Sequence, residues 1–338
     1  MKKILIIYTG GTVGMVRDAK SKTLKPFDFE HLLQQVLELN RFNYQLDSHS
    51  FNPLIDSSNM QPPIWIELVK LIEKNYNKYH GFVILHGTDT MAYTASALSF
   101  MLENLNKAVV LTGSQLPIGE IRTDAKENLI TAIEIAASES KGNTIVPEVC
   151  IFFDYQLLRG NRATKYSSAK FEAFRSVNYP ALAEAGVHIK YDHSAINDVH
   201  TKQLKVHTKL DTNIAILKIF PGISQSVVDA ILNSKNLKAV VLETYGSGNA
   251  STDKGFIDSL KKAIDKGIIV LDVTQCLGGK VELGRYETSA KLKAIGVTSG
   301  ADTTTEAAVT KLMFLLGQNL TSKEVKRLLE TSLRGEIE

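Results

Sequence analysis

Short apolar runs alternate along this chain with longer segments that have the periodicity of amphipathic helices. The predicted strands are KILIIY (3–8), a run over 44–52, GFVILH (81–86), AVVLTG (108–113) and EVCIFF (148–153). Predicted helices cover 28–39, 62–78 and 90–103, and a further helix follows residue 124. Strands that are apolar throughout are typical of parallel sheets covered by helices on both faces. We therefore predict an α/β fold.

A second block of the same kind begins near residue 212. Its predicted strands are 213–220, 239–244 and 267–273, and its predicted helices are 224–233, 254–266 and 303–317. The segment between the blocks is polar and has little periodicity, which is typical of a linker. With 338 residues, the chain is long enough for two domains. We predict a larger N-terminal parallel-sheet domain over 1–190, a linker over 191–211 and a smaller C-terminal α/β domain over 212–338.

Three pairs of residues have the spacing of a helical capping box, in which the side chains at the N-cap and three positions later cap each other's backbone N–H. The pairs are Asp124 with Glu127, Thr303 with Glu306, and Thr321 with Glu324. We expect a helix to begin at each pair.

Composition excludes several classes of protein. Lys and Arg number 39 and Asp and Glu 36, so the net charge of +3 gives no electrostatic argument for nucleic acid or an anionic membrane. Cys150 and Cys276 are the only cysteines, which excludes a disulfide scaffold and a cysteine-rich zinc site. Both stand in apolar surroundings, and we expect buried free thiols in a reducing compartment.

The N-terminus, MKKILIIYTGGT, has an apolar run that meets Gly-Gly at once, and we interpret it as a first strand rather than a signal peptide. No apolar stretch approaches the length of about 18 residues that a membrane span needs. We therefore predict a cytoplasmic protein with no membrane partner.

Two polar motifs follow predicted strands, at the end where ligands bind in open α/β sheets. TGGT (9–12) would expose the hydroxyl of Thr12 as a candidate nucleophile, although an ordinary turn explains Gly-Gly equally well. The motif fits neither a P-loop nor a dinucleotide fingerprint. In HGTDT (86–90), Thr88 and Asp89 are a plausible catalytic and amine-binding pair or simple helix caps. We interpret His86 as a packed histidine, because no second ligand stands at metal spacing from it.

Four further segments are ambiguous alone. Lys165, in RGNRATK (159–165), can help to activate a nearby hydroxyl or can be a solvated turn residue. DSSNM (56–60) and TGSQ (112–115) can bind a carboxylate or form turns. The loop over 13–25 fits a lid or a surface loop. The repetition of small polar residues at several strand ends is the stronger indication of a site.

TGGTVG (9–14) and GFVILHGTDTM (81–91) together resemble the two signature segments of the L-asparaginase family. The resemblance extends to the cytoplasmic, type I bacterial branch of the family through further segments along the whole chain: PLIDSSNM (53–60), TGSQLP (112–117), RGNRATK (159–165), YGSGN (245–249), TQC (274–276) and LRGE (333–336). Members have a larger N-terminal and a smaller C-terminal α/β domain.

The resemblance implies an enzyme that hydrolyses asparagine. Thr12 matches the nucleophile that attacks the side-chain amide carbon, forming an acyl-enzyme and releasing ammonia before water releases aspartate. Thr88 and Lys165 match a proton relay that activates water. Asp89 matches a carboxylate that acts together with these two residues and also binds the substrate α-amino group. Backbone N–H groups near Thr12 and Thr88 would stabilise the oxyanion.

The remaining site residues also follow from the resemblance. Ser57 matches the residue that holds the α-carboxylate, with Asp56 and Ser58 beside it. Ser114 matches a residue near the side-chain amide, where its carbonyl would face the substrate. The family needs neither a metal nor an organic cofactor.

The family assembles as a homo-oligomer, a dimer or a dimer of dimers, and Asn249 is the residue that we expect a neighbouring subunit to contribute. Some type I enzymes have an effector site for asparagine, near the segment that matches Thr274 and Cys276. Glu243 stands where enzymes with such regulation have an arginine. Because a carboxylate cannot pair with the effector's α-carboxylate, we do not expect allosteric activation. The motifs do not decide between asparagine and glutamine as substrate.

Two other functions use the same fold. Related proteins are amidase subunits of a tRNA-dependent amidotransferase, but these usually carry an extra N-terminal domain, for which a TGGT motif at residue 9 leaves no room. A non-catalytic asparagine sensor would not need the complete set of Thr12, Thr88, Asp89 and Lys165.

Overall fold

The computed structural model describes residues 1–17, 24–26 and 36–338. The chain divides into two compact units, Met1–Thr208 and Lys209–Glu338. Most of the predicted helix over 28–39 lies outside the described residues, as do residues 18–23 of the predicted loop over 13–25. The described end of that helix is a short 3-10 helix, Leu37–Arg41.

The first unit is built on a mixed sheet. Its strands are β1 (Lys2–Tyr8), β2 (Tyr44–Ser50), β3 (Gly81–Leu85), β4 (Val109–Thr112), β5 (Val149–Phe153), β6 (Gln156–Arg159), β7 (Ala183–Ala185) and β8 (Ile189–Tyr191). The order across the sheet is β8-β7-β6-β5-β4-β3-β1-β2. The strands β2, β1, β3, β4 and β5 are parallel, and β6, β7 and β8 continue the sheet with antiparallel pairing. The predicted parallel α/β arrangement is confirmed for the five parallel strands.

In the part of this unit that the structure describes, three helices accompany the sheet: α1 (Pro62–Asn75), α2 (Met91–Met101) and α3 (Ala125–Ala136). Prolines at the first two positions of α1 suit a helix start, where backbone N–H groups have no partner in the helix. Almost every side chain of α2 is buried, which explains why that segment is apolar on all sides. Alanine is common along α2, so its backbone can lie close to its neighbours.

The antiparallel strands β6–β8 were not predicted. Strands β5 and β6 are joined by a tight turn at Asp154 and Tyr155, both of which have positive φ, 46° and 68°. Such turns usually carry Gly or Asn, so the Asp-Tyr dipeptide gives no hairpin signal in the sequence.

The second unit has a sheet of four parallel strands: β9 (Ile214–Lys218), β10 (Ala239–Thr244), β11 (Ile269–Thr274) and β12 (Thr298–Ser299). Its helices are α4 (Gln225–Leu232), α5 (Lys254–Asp265), α6 (Glu287–Ala294), α7 (Thr305–Gly317) and α8 (Ser322–Leu329). A buried apolar core that includes Val240, Val270 and Leu260 lies between strands and helices. The prediction of a smaller C-terminal α/β domain is confirmed.

The capping predictions in this unit had mixed outcomes. Thr321 and Glu324 form the expected capping box at the start of α8. The pair Thr303 and Glu306 does not, because α7 begins two residues later than predicted and Thr304 is its N-cap. Two threonines in succession give the same local signal, and the sequence alone did not decide between them.

The predicted linker, 191–211, makes definite contacts with the first unit. Ala195 accepts a hydrogen bond of 2.7 Å from Arg159 through its carbonyl. Residues Lys205–Val206 form a short strand that pairs with Leu102–Glu103. The exact limits of the two domains stay a prediction.

The two cysteines lie in different environments. Cys150 is buried on β5, as predicted. The prediction that Cys276 is buried is wrong, because it follows the last residue of β11 in a turn where Leu277 is exposed as well. Among the described residues, no helix is long and apolar enough to cross a membrane.

Candidate active site

The sheet of the first unit brings four polar loops to one edge. Strands β2, β1, β3 and β4 are adjacent and parallel, so their carboxyl ends lie side by side. The loops that follow them carry the motifs DSSNM, TGGT, HGTDT and TGSQ. Carboxyl ends of parallel strands are where open α/β sheets bind ligands.

Glycines allow three of these loops to pack backbone against backbone. A Cβ added to Gly10 would lie 2.2 Å from the carbonyl oxygen of Ile55, and one on Gly11 would lie 2.5 Å from the nitrogen of Gly87. A Cβ on Gly87 would lie 2.5 Å from the Oγ of Ser57. Gly10 and Gly11 also have φ of 137° and 94°, which side chains disfavour. The Gly-Gly pair is therefore required by close approach as well as by the turn.

Backbone hydrogen bonds fix the TGGT loop between its neighbours. Thr9 donates to the carbonyl of Leu85 through its N–H (3.0 Å) and its hydroxyl (2.9 Å). The N–H of Ile55 donates to the carbonyl of Thr9 at 2.7 Å. Thr12 follows as the first residue of a 3-10 turn, Thr12–Gly14, and is half-buried. The candidate nucleophile thus stands on a loop that is anchored on both sides.

Thr88, Asp89 and Lys165 are in direct contact. Lys165 Nζ donates to Thr88 Oγ1 at 2.9 Å and lies 2.5 Å from Asp89 Oδ1. The Lys165 side chain is 18% exposed and the Asp89 side chain 64% exposed, so the pair faces an opening rather than the core. The Thr88 hydroxyl has a longer contact, 3.5 Å, to Gln115 Oε1. Neither Thr88 nor Asp89 is the N-cap of α2, because Thr90 holds that position.

Lys165 lies on a short strand, Thr164–Lys165, that pairs with Phe174–Arg175. The strand before it, β6, ends at Arg159, which is 3% exposed and forms a 2.6 Å ion pair with Glu148. The guanidinium of Arg159 also lies 4.3 Å from the ring centre of Tyr179. The sequence indicated only a charged turn here, and it gave no signal that the arginines are buried.

The loop after β2 contributes a buried serine. Ser57 is 4% exposed, and its carbonyl accepts a 2.7 Å hydrogen bond from the hydroxyl of Thr90. Asp56 Oδ1 accepts from the N–H and the hydroxyl of Ser58, at 2.9 and 2.8 Å, which holds the pKa of Asp56 below its usual value. The side chains of Asp56 and Ser58 therefore bind each other. Of the three residues in this loop, Ser57 is the one that packs against Gly87.

The loop after β4 is held by Asp124. Ser114 is buried, and its hydroxyl donates to the carbonyl of Leu116 at 2.6 Å. Asp124 accepts hydrogen bonds from the N–H groups of Gln115 and Leu116, at 3.0 and 3.1 Å. Its side chain makes no cap bond to α3, so the predicted capping box with Glu127 is wrong. The carboxylate holds the start of the loop that leads to its own helix, and on α3 it accepts only from the side-chain amide of Asn128, at 3.3 Å.

The predicted effector-region residues lie at the carboxyl end of the second sheet. Glu243 is 7% exposed, lies 3.1 Å from Lys218 Nζ and accepts a 2.8 Å hydrogen bond from Thr305. Thr274 accepts a hydrogen bond from the N–H of Cys276 at 3.0 Å.

Asn249 lies on a tight turn of the second unit. Its Oδ1 accepts a 2.7 Å hydrogen bond from the Thr288 hydroxyl, and its backbone pairs with Tyr245. In the part of the chain that the structure describes, no group of three or more His, Cys, Asp or Glu side chains could hold a metal ion.

Comparison with known proteins identifies relatives over the full chain. Residues 3–197 match the family model "Asparaginase, N-terminal", and residues 213–329 match "Glutaminase/Asparaginase C-terminal domain". L-asparaginase 1 of Escherichia coli is 43% identical over 337 residues, which cover 99% of this chain and 98% of that protein. The human 60 kDa lysophospholipase is 40% identical over 359 residues, which cover 99% of this chain and 61% of that protein. The crystal structure of L-asparaginase I from Vibrio cholerae superposes with a TM-score of 0.90 at 41% identity, covering 100% of this chain and 99% of that one.

Proposed function

This chain belongs to the asparaginase family, and from that premise we propose that it hydrolyses L-asparagine to L-aspartate and ammonia. The observation that carries the proposal is the contact of Lys165 with Thr88 and Asp89 beside the anchored TGGT loop. That arrangement offers a hydroxyl, a cation and a carboxylate at one opening, which suits a small zwitterion that carries an amide.

We propose Thr12 as the nucleophile. Its hydroxyl attacks the side-chain amide carbon, an ester to Thr12 forms, and ammonia leaves after the amide nitrogen gains a proton. Water then attacks the ester and releases aspartate. A threonine hydroxyl is a weak nucleophile at neutral pH, so it needs a positioned group to take its proton. The close approach of Gly11 to Gly87 supports the proposal, because it brings the loop of Thr12 against the loop of Thr88.

Thr88, Lys165 and Asp89 form the second part of the proposed mechanism. The 2.9 Å contact between Lys165 Nζ and Thr88 Oγ1 allows a proton to move between them. We infer that this pair activates the water that attacks the ester. Asp89 holds the ammonium of Lys165 and also receives the α-amino group of the substrate, since its carboxylate is the exposed member of the set.

The remaining loops bind the substrate in this proposal. Ser57 holds the α-carboxylate with its hydroxyl, and Asp56 and Ser58 fix the turn around it through their mutual hydrogen bonds. The carbonyl of Ser114 faces the side-chain amide, and Asp124 supports that loop through the next two N–H groups. A few local groups are sufficient for a ligand of this size, which agrees with the nearly balanced net charge.

We further propose that the enzyme works in the cytoplasm as a homo-oligomer, a dimer or a dimer of dimers. Asn249 is then the residue that one subunit contributes to the site of another. In the same proposal Glu243, Thr274 and Cys276 do not form a working effector site, because the Glu243 carboxylate already binds Lys218 and Thr305. A hyperbolic dependence of rate on asparagine concentration is expected, and a sigmoidal one would contradict this part.

The function is tested by ammonia release from asparagine and, separately, from glutamine. The wild type should release ammonia from asparagine, Thr12→Ala should abolish turnover while the circular dichroism spectrum is unchanged, and Thr12→Ser should retain part of it. Turnover by Thr12→Ala at the wild-type rate would contradict the nucleophile. Tight asparagine binding in calorimetry without ammonia would indicate a sensor. Ammonia release that requires a partner protein and tRNA would indicate an amidotransferase subunit.

A further inference from the structure

A buried row of hydrogen bonds runs from α1 to the loop that carries Thr88. The indole Nε1 of Trp65 donates to Thr94 Oγ1 at 3.0 Å, and Thr94 Oγ1 lies 2.9 Å from His86 Nε2. His86 Nδ1 lies 2.6 Å from the carbonyl oxygen of Gly87. Trp65, Thr94 and His86 are 5%, 0% and 1% exposed, so water does not compete with these bonds.

The chemistry of the end groups fixes the direction of every bond. A carbonyl oxygen only accepts, so His86 Nδ1 must carry the proton that binds Gly87. In the neutral ring His86 Nε2 then accepts, and the Thr94 hydroxyl donates to it while accepting from Trp65. Burial lowers the pKa of His86 to about 4, so the ring is neutral at physiological pH. The hydrogen bonds of Trp65 and Thr94 therefore favour the His86 tautomer that carries its proton on Nδ1.

Among the described residues, this row of hydrogen bonds meets the loop of Thr88 at the Gly87 carbonyl. Gly87 and Thr88 share a trans peptide unit, in which the carbonyl and the N–H of Thr88 point in opposite directions. A bond that turns the carbonyl toward His86 therefore turns the Thr88 N–H away from the buried ring. Glycine restricts its own backbone less than any other residue, so the orientation of this unit needs an external anchor. Among the described residues, the Thr88 N–H donates to no acceptor.

Resting on the proposed function, we propose that His86 is a positioning residue whose Nδ1–H holds the Gly87–Thr88 peptide so that the Thr88 N–H faces the oxyanion of the tetrahedral intermediate. Such a donor acts in the transition state rather than in the ground state, so its loss lowers kcat more than it changes KM. Trp65 and Thr94 contribute by selecting the tautomer.

Matched variants separate positioning from packing. In His86→Asn the side-chain amide N–H takes the place of Nδ1–H and can still donate to Gly87, whereas in His86→Gln the longer side chain places its amide near Thr94 instead. We expect His86→Asn to keep kcat within a few-fold. Outright removal of an oxyanion-hole donor costs about 100- to 1,000-fold in kcat, and a misplaced donor costs less. We therefore expect His86→Gln and His86→Leu to lose about 10- to 100-fold in kcat, with KM for asparagine changed by less than about three-fold.

Wild-type protein containing 15N-labelled histidine gives a readout independent of turnover. The His86 resonance, identified by its loss in His86→Asn, should show a protonated Nδ1 and an unprotonated Nε2 at pH 7. Equal kcat in the Asn and Gln variants, at matched melting temperature, would overturn the proposal, and so would the opposite tautomer. If the wild type itself releases no ammonia, the proposed function is wrong. The tautomer measurement still tests the hydrogen bond from His86 to Gly87 in that case.

Discussion

Lys165 Nζ lies 2.9 Å from Thr88 Oγ1, although 77 positions separate these residues in the chain. The contact joins the loop after β3 to a short strand beyond β6, and Asp89 completes it at 2.5 Å from the same ammonium. Lys165 is therefore held by a hydroxyl and a carboxylate rather than solvated. This geometry supports the proposed role of Lys165 in the reaction.

Replacing Lys165 by Met should lower kcat by about 100-fold or more, because positioned proton transfer contributes on the order of 100- to 10,000-fold. Lys170→Met is the matched control, because Lys170 is exposed in the same region. This substitution should leave kcat unchanged. Steady-state ammonia release measures both variants. An equal effect of the two substitutions would mean that Lys165 acts only through general charge.

The close approach of Gly11 to Gly87 predicts that Gly11→Ala is severely harmful. The new methyl would meet the Gly87 backbone at 2.5 Å, so the two loops must separate. We expect loss of turnover and a clear fall in melting temperature. Gly142→Ala is the control, because Gly142 also has positive φ, 82°, but a Cβ there would meet nothing within 4 Å. If both variants behave alike, strain at positive φ rather than loop contact is the cause.

Asp272 predicts an unusual pH dependence of stability. It is fully buried on β11, and Oδ1 accepts a 2.7 Å hydrogen bond from the Thr244 hydroxyl. Among the described residues, Oδ2 has no hydrogen-bond partner. Burial raises the pKa of Asp272 from 3.8 to about 7, so between these values the folded state binds a proton that the unfolded state does not. Stability should therefore fall as pH rises through this window, by about 4 kcal/mol in total.

The test compares melting temperatures of the wild type and Asp272→Asn from pH 4 to 9. The advantage of the wild type over the variant should shrink steadily as pH rises to about 7 and stay constant above it, whereas Glu330→Gln, at an exposed carboxylate, should give a parallel curve. If the melting temperatures of Asp272→Asn and the wild type change with pH in parallel, the carboxylate is already ionised in the folded protein over this range.

The proposed sharing of sites between subunits predicts complementation. Thr12→Ala and Asn249→Ala should each be nearly inactive as homo-oligomers. Co-expression of the two variants with different affinity tags yields mixed oligomers. Because each site combines Thr12 of one subunit with Asn249 of another, a symmetric mixed oligomer has some sites with both substitutions and some sites with neither. Purified mixed oligomers should regain activity well above either parent. Activity no higher than the parents would contradict a contribution of Asn249 to a neighbouring site.

Motifs and periodicity predicted the strand ends, because buried strands have a distinctive apolar pattern and polar loops follow them directly. They did not predict contacts that depend on residues far apart. Asp124 has the spacing of a helix cap, yet tertiary structure uses its carboxylate to hold Gln115 and Leu116. His86 was expected to be packed, but no local pattern connects it with Thr94 and Trp65, to which it is joined by hydrogen bonds.

Some features also lack any local signal. The turn at Asp154 and Tyr155 adopts positive φ without glycine, so the hairpin that extends the sheet could not be recognised. Cys276 stands among apolar letters but lies past a strand end, where neighbouring apolar residues are exposed. In both cases the position of the segment in the sheet, rather than its composition, decides the outcome.

We expect asparagine hydrolysis to pass through an ester on Thr12. Rapid acid quenching during turnover, followed by peptide mapping with mass spectrometry, tests it directly, with Lys165→Met included because slower water attack should let the ester accumulate. The expected result is a mass increase of one aspartyl group on the peptide that contains Thr12. An adduct confined to the peptide of Thr88, or turnover with no adduct under conditions that trap esters, would contradict the claim.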